Sequence, residues 1–153
     1  MRTGFVIFGM LAALFSCLDE PDCIKTADTA LIIQFKKLID GKNDTLIFYR
    51  VEAEGSDSIF YGQNPDVLDT LEGQPLVVAI DPFSDFTSFT FFLPLLDRRL
   101  KVGYSRSTRF ISEDCGSESF FLQLTVLESE FDSVKIVSPV LSEERTTNIE
   151  IYR

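Results

Sequence analysis

The residue whose chemistry is most directly readable from the sequence is Cys17, which ends the stretch Leu14-Phe15-Ser16-Cys17. Arg2 supplies a positive N-terminal region, and residues 5–15 form an 11-residue apolar run. A helix that spans a bilayer takes about 20 apolar residues, so this run better suits the core of an export signal. A cysteine directly after the small residue at the cleavage site predicts lipidation of Cys17. The alternative is an ordinary signal peptide or an anchor helix in which Cys17 plays no part.

This interpretation divides the chain into three parts. We expect a lipoprotein signal peptide at 1–16, a lipidated, palmitate-bearing tether at 17–27 and a single domain at 28–153. Loss of Arg2 with the signal takes the formal net charge from −10 to −11. Because phosphate contacts depend on Lys and Arg, a chain this acidic is not expected to bind nucleic acid.

The two remaining cysteines, Cys23 and Cys115, are the next candidates for covalent chemistry. If Cys17 carries lipid, they are left as a pair in an oxidising compartment, where disulfides persist. Two unpaired buried thiols are the alternative. A metal site is less favoured, because the chain has no histidine and carboxylates are poor partners for thiolates. We expect no metal and no cofactor.

The absence of histidine also removes the commonest routes to an activated nucleophile, the Ser-His and Cys-His pairs. A pair of carboxylates could still serve a glycosidase. With 24 acidic residues, however, such pairs arise by chance, so no specific pair stands out. We therefore expect no catalytic residue.

A basic run interrupts the acidic trend between positions 98 and 109. The candidates for contact with an anion, such as an acidic glycan or a lipid phosphate, are Arg98, Arg99, Lys101 and Arg109, with Arg106 nearby. Strand alternation predicts Arg99, Lys101 and Arg109 on one face and Arg98 and Arg106 on the other. The alternative is an edge strand whose charges prevent pairing with other sheets.

A triplet of Asp, then Ser or Thr, then an aliphatic residue occurs five times, where composition alone would give about one. It resembles the acceptor motif of general O-glycosylation in Bacteroidota, which makes the following residues candidate acceptors: Thr29, Thr45, Ser58, Thr70 and Ser133. The alternative is structural, because Asp and Ser or Thr favour turns and aliphatic residues begin the next strand.

Short runs with a period of two predict the strands that must position these residues. They begin near residues 31, 46, 76, 89, 100, 120, 134 and 149, and Gly, Asn, Asp and Pro clusters separate several of them. No long amphipathic helix is evident. The pattern predicts an all-β domain, an antiparallel immunoglobulin-like β-sandwich of about seven or eight strands, preceded by the lipoprotein signal peptide.

Several short motifs extend over the whole mature chain. They are the lipobox at Cys17, Asp22-Cys23-Ile24, Leu31–Phe35, Phe92-Leu93-Pro94-Leu95, Tyr104, Ile111–Gly116, Val134–Val137 and Asn148–Tyr152. Together they resemble a family of small Bacteroidota envelope lipoproteins formed by a domain of unknown function. The resemblance implies a bridge between Cys23 and Cys115 and a β-sandwich, and it carries no activity.

These observations predict a lipid-anchored, non-catalytic binding or assembly factor of a Gram-negative cell envelope. The alternative is a carboxylate-dependent enzyme that acts on envelope or extracellular glycans. The expected partners are the membrane, through the N-terminal lipid, and an envelope protein or glycan. Asp19, Glu20 and Asp22 resemble a surface-export signal, but a solvated acidic tether explains them as well. We expect the periplasmic face of the outer membrane rather than the cell surface.

Overall fold

The computed structural model describes residues 28–54, 59–61, 67–142 and 146–153, with the backbone alone at 59 and 60. Within these ranges the chain forms eleven strands, and no helix is long and apolar enough to cross a membrane. The strands are β1 (Ala30–Lys36), β2 (Thr45–Phe48), β3 (Arg50–Ala53), β4 (Ile59–Tyr61), β5 (Asp69–Glu72), β6 (Leu76–Ala79), β7 (Phe86–Phe92), β8 (Arg98–Ser112), β9 (Gly116–Ser129), β10 (Ser133–Ile136) and β11 (Ile149–Tyr152).

The strands are arranged in two larger sheets and one short ribbon. One sheet has the order β10-β11-β1-β6, the other has the order β4-β3-β7-β8-β9, and β2 pairs with β5. Every named pair is antiparallel except β1 with β11, which is parallel. Buried side chains from both larger sheets form one apolar cluster. The expected antiparallel β-sandwich is therefore confirmed.

The pattern of burial follows the position of each strand in its sheet. Along β7, Thr87, Phe89 and Phe91 are buried while the residues between them are more accessible, as expected for a strand with one face on the core. In β1, by contrast, all five residues from Leu31 to Phe35 are buried. A strand covered on both faces tends to be apolar throughout rather than alternating, and four of these five residues are apolar; the fifth, Gln34, donates its amide N–H to the Phe35 carbonyl at 3.1 Å.

Aromatic rings join the two sheets at one end of the core. Phe35 of β1 meets Phe91 of β7 at a centroid distance of 6.1 Å. Phe131, in the turn between β9 and β10, lies 5.2 Å from Phe91 and 6.0 Å from Phe35. These edge-to-face contacts are the geometry that aromatic quadrupoles favour. They fix the turn that carries Phe131 against the core.

The structure has three strands that the period-two pattern did not predict: β3, β4 and β5. β3 follows β2 after Tyr49 alone, and there the buried positions change phase from Leu46 and Phe48 to Val51 and Ala53. This phase change marks the point where the chain leaves the β2–β5 ribbon and enters the five-stranded sheet. β4 has only three residues, too few to show alternation, and β5 reads Asp-Thr-Leu-Glu, with a single apolar residue.

The sandwich has two distinct ends. At one end β8 and β9 continue beyond β7, since β7 pairs with β8 only from Arg98 to Gly103. We call this extension, residues 105–119, the arm. β1 also begins at this end of the sandwich. The Ile80 N–H donates to the carbonyl of Thr29, the residue before β1. The next residue, Asp81, accepts at its carbonyl from the hydroxyl of Tyr104, which lies at the base of the arm. At the opposite end lie the last residues of β1, the β7–β8 connection and Arg153.

Candidate functional site

A groove with mainly apolar walls lies at the end of the sandwich opposite the arm. Its volume is about 340 Å³, within the range of about 300–1,000 Å³ that is usual for small-molecule sites. The lining residues are Ile47, Leu93, Pro94, Leu95, Leu96, Arg98, Phe131, Asp132 and Arg153. Six of these nine are apolar, and they come from β2, the β7–β8 connection and the β9–β10 turn.

The β7–β8 connection forms one wall of the groove because it cannot continue the sheet. Pro94 has no N–H to offer a neighbouring strand, and the next two residues project outward. Leu95 is 99% exposed and Leu96 is 61% exposed. On the nearby β1–β2 connection, Leu38 and Ile39 are also exposed, and the Leu38 N–H donates to the Arg153 carbonyl at 3.0 Å. We call Leu38, Ile39, Leu95 and Leu96 the apolar tip.

Two guanidinium groups border the groove, and their partners differ. Arg153 Nε lies 3.0 Å from Asp44 Oδ2, so its charge is balanced by a carboxylate. Arg98 donates to the Glu130 carbonyl. Among the described residues, no carboxylate lies within 4.0 Å of the Arg98 guanidinium. Asp132 is the acidic residue in the groove lining.

The four basic residues predicted to contact an anion all lie on β8, but the structure does not bring them together. Arg98 borders the groove. Arg99 and Lys101 alternate with buried Leu100 and so face outward from the five-stranded sheet. Arg109 lies on the arm, ten positions along the same strand from Arg99. No single anion could contact all four.

Each outward-facing cation on β8 already has a local partner or lies near one. Lys101 Nζ is 3.5 Å from Glu128 Oε1 and 4.5 Å from the centre of the Phe86 ring. The Arg99 backbone N–H donates to Glu130 Oε2 at 2.7 Å. On the arm, Arg109 lies 3.4 Å from Glu118.

The edge-strand interpretation of the basic run is wrong for its first half. β8 lies between β7 and β9, so Arg98, Arg99 and Lys101 are in the interior of the sheet. Only the part of β8 in the arm, with Arg106 and Arg109, lies beyond the pairing with β7. The sequence could not show this, because it does not reveal which strands β8 pairs with.

A polar cleft near the base of the arm contains two carboxylates, the residue type on which the enzyme alternative depends. Its lining includes Glu54, Asp81 and Thr87. Asp81 Oδ1 accepts the N–H of Phe83 at 2.9 Å, which is a turn-stabilising role. Thr87 Oγ1 accepts the Asp81 N–H at 2.8 Å. The Asp81 carboxylate is therefore explained by its role in the local turn.

Tyr104 completes the polar network at this cleft. Its hydroxyl donates to the Asp81 carbonyl at 2.6 Å and lies 2.7 Å from Thr87 Oγ1. Burial, more than any other factor, raises the pKa of the Tyr104 hydroxyl above its usual value. Among the described residues, no three acidic or cysteine side chains converge to hold a metal ion.

The Asp-Ser/Thr triplets lie where strands begin. Thr29 directly precedes β1, Thr45 and Ser133 are the first residues of β2 and β10, and Thr70 is the second residue of β5. In two of the triplets the Asp side chain accepts the N–H of the following Thr, at 2.9 Å for Thr45 and 2.8 Å for Thr70. This placement agrees with the structural interpretation. Thr45, Thr70 and Ser133 are nevertheless exposed, and Ser58 lies outside the described residues.

Of the three cysteines, only Cys115 lies within the described residues. It is in the turn of the arm, where its N–H donates to Ser112 Oγ at 3.0 Å, and the next residue, Gly116, has a φ of +70°. Cys17 and Cys23, and with them the lipidation site and the proposed bridge partner, lie outside the described ranges.

Sequence reasoning did not identify the groove as a site. The sequence does contain a feature that could have indicated the groove. Proline excludes the segment Leu93-Pro94-Leu95-Leu96 from a sheet, although the segment is apolar. We used this segment for its resemblance to a family rather than for its exposure. No known family model, curated protein or solved structure matches this chain.

Proposed function

We propose that this chain is a lipid-anchored, non-catalytic binding protein of a Gram-negative envelope, of the small Bacteroidota lipoprotein type. The observation that carries the proposal is the groove beside the apolar tip. Monomeric proteins rarely expose large contiguous apolar surface without a binding role. Here the exposed side chains of Leu95 and Leu96 border a concave site rather than lying singly on a flat face.

The direction of β1 supports a role for the groove away from the membrane. The described chain enters at the arm end and reaches the groove end after the seven residues of β1, a distance of about 23 Å at about 3.3 Å per residue. A lipid on Cys17 would precede the arm end. The anchored end and the groove would then lie at opposite ends of the sandwich, so that the groove is presented to the surrounding compartment.

A disulfide between Cys23 and Cys115 is part of the proposal. Cys115 lies in the turn of the arm, and Cys23 is the partner that remains if Cys17 carries lipid. Thiol labelling of the denatured, unreduced lipoprotein should find no free cysteine. Two reactive thiols per mature chain would contradict this part of the proposal.

The binding role is tested by placing a photoreactive residue in the groove wall. Leu96→p-benzoylphenylalanine, in the acylated chain in intact envelopes, should give an adduct after irradiation. Leu127 is the matched control site, because it is the same residue type with 52% exposure against 61% for Leu96, but lies on the five-stranded sheet.

An adduct at position 96 that is absent at 127 supports a binding role for the groove. Equal yields at the two positions, or no adduct at either, would contradict it. Mass analysis of the adduct then distinguishes a protein partner from a glycan or a lipid.

A further inference from the structure

The groove combines two features that together define a ligand class. Its walls are mainly aliphatic, and one guanidinium on its border has no carboxylate partner among the described residues. Resting on the binding function proposed above, we propose that the groove binds a free single-chain amphiphile with a monoanionic head, of the fatty-acid class, and that Arg98 contacts the head.

The apolar part of the ligand follows from the lining. Ile47, Leu93 and Phe131 provide apolar surface, and Phe131 is fixed from behind by its ring contact with Phe91. Five of the six apolar lining residues are aliphatic, Pro94 included, and the sixth is Phe131. The volume of about 340 Å³ suits one alkyl chain. These properties favour an acyl chain over a segment of a protein partner.

The anionic head follows from the state of Arg98. A guanidinium has five N–H donors and no acceptor, and the described contact of Arg98 is its bond to the Glu130 carbonyl. Its remaining donors could form the paired hydrogen bonds that guanidinium groups make with carboxylates. Arg153 differs because Asp44 already balances its charge.

The charge of the head is limited by Asp132, which also lines the groove. Because Asp44 already balances Arg153, the charges left in the lining are those of Arg98 and Asp132, which sum to zero before a ligand binds. A single carboxylate suits this balance better than a doubly charged phosphate, which Asp132 would repel.

The proposal is tested with decanoate and decan-1-ol, which share an alkyl chain and differ in the head. The protein is the full mature chain, residues 17–153, with Cys17→Ser so that no detergent is needed. Methyl NMR of Leu and Ile residues reports where each probe binds, at concentrations below micelle formation. We expect shifts at the groove, and about tenfold or tighter binding of decanoate than of decanol, as a charge-assisted hydrogen bond provides.

Arg98→Gln should abolish this preference without loss of the fold, because Arg98 is the first residue of β8 and its bond to the Glu130 carbonyl is exposed. Arg106→Gln is the matched control, since Arg106 also donates to a backbone carbonyl, that of Pro82 at 3.0 Å, but lies on the arm. Asp132→Asn should strengthen decanoate binding a few-fold by removing the nearby negative charge.

Equal affinity for the two probes would overturn the proposal, as would an unchanged preference in Arg98→Gln or methyl shifts confined to other surfaces. If neither probe binds while position 96 still gives a specific protein adduct in envelopes, the fatty-acid inference fails and the binding function stands.

Discussion

Asn148 shows at the scale of one residue how a polar side chain can organise an apolar core. It is 2% exposed, and its side chain links three segments. Oδ1 accepts the N–H of Ile32 at 3.0 Å, and Nδ2 donates to the Val140 carbonyl at 2.9 Å. The segment that carries Val140 lies along β9, where Leu141 pairs with Phe121. Asn148 therefore connects β1 to the chain that covers the edge of β9.

Asn148→Ala should lower the free energy of unfolding by about 2–3 kcal/mol, because it leaves the buried N–H of Ile32 without a partner and removes the bond to the partly buried Val140 carbonyl. Urea denaturation followed by circular dichroism measures the change. Asn43→Ala is the control, since Asn43 also bonds through both amide atoms, to Lys36 and Gly73, but at an exposed position. A loss at Asn148 no larger than the loss at Asn43 would contradict the role assigned to burial.

Tyr104 gives a prediction about pH. Burial raises the pKa of its hydroxyl above 10.0 in the folded protein, so between the unfolded and folded pKa values the unfolded chain loses this proton first. The free energy of unfolding should therefore fall as the pH rises above about 10. Denaturation at pH 9 and pH 11 should show a smaller fall for Tyr104→Phe than for the natural chain.

Tyr152→Phe is the comparison for this experiment. The pKa of Tyr152 is also raised, first by its hydrogen bond with Glu150, but the hydroxyl is not desolvated to the same degree as that of Tyr104. We expect the Tyr152 substitution to change the pH dependence less. An equal effect of the two substitutions would argue against burial as the cause.

At the scale of elements, β9 has an irregularity where it contacts a second segment while it stays paired with β8. Gln123 has a φ of 54°, the left-handed region, and the pairing with β8 shifts register between Gly103 and Ser105. Directly after it, the Leu124 N–H donates to the Pro139 carbonyl at 3.0 Å. This local twist allows β9 to pair with β8 and also to contact the segment that follows β10.

Gln123→Gly should raise the free energy of unfolding by about 0.5–1 kcal/mol. It removes the steric cost of a side chain at positive φ, which exceeds the entropy that glycine loses on folding. Gln74→Gly, at an exposed position without positive φ, should instead lower it slightly. Gln123→Val should be destabilising, because a β-branched residue is strained at this φ. A stabilised Val variant would contradict the assignment of strain.

The elements differ in how far their sequences determine them. The eight strands expected from alternation all occur, because each contains enough apolar residues to cover part of the core. β5, which reads Asp-Thr-Leu-Glu, owes its structure to pairing with β2, which lies more than twenty residues away. Pairing over such distances is not encoded in local pattern, and for the same reason the interior position of β8 was missed.

The candidate site was predictable only in its parts. Arg98 was identified as a candidate anion contact, and Pro94 marks a break in the sheet. The groove itself requires Ile47, Phe131 and Arg153, which come from three separate connections or strands. Their convergence depends on sheet order, and no spacing in the sequence reveals it.

At the scale of the whole molecule, the proposed lipid on Cys17 gives a prediction about membrane attachment. Cys17→Ala should release the protein into the soluble fraction, because the acyl chain on Cys17 is the proposed anchor. Cys115→Ser should leave the protein in the membrane fraction, because that cysteine is not the acylation site. Membrane retention of Cys17→Ala equal to that of the natural chain would refute the lipobox.

The parallel pairing of β1 with β11 determines when the four-stranded sheet can form during synthesis of the chain. Ile32 and Asn148 are 116 positions apart, and β11 lies in the interior of its sheet between β10 and β1. Closing so long a loop is slow, and the sheet gains stability only after it is closed. The four-stranded sheet cannot assemble until the final strand has been synthesised. A chain synthesised only as far as β10 contains every strand of the five-stranded sheet but lacks β11, which links β10 to β1, so one side of the sandwich core stays open until β11 has joined β1.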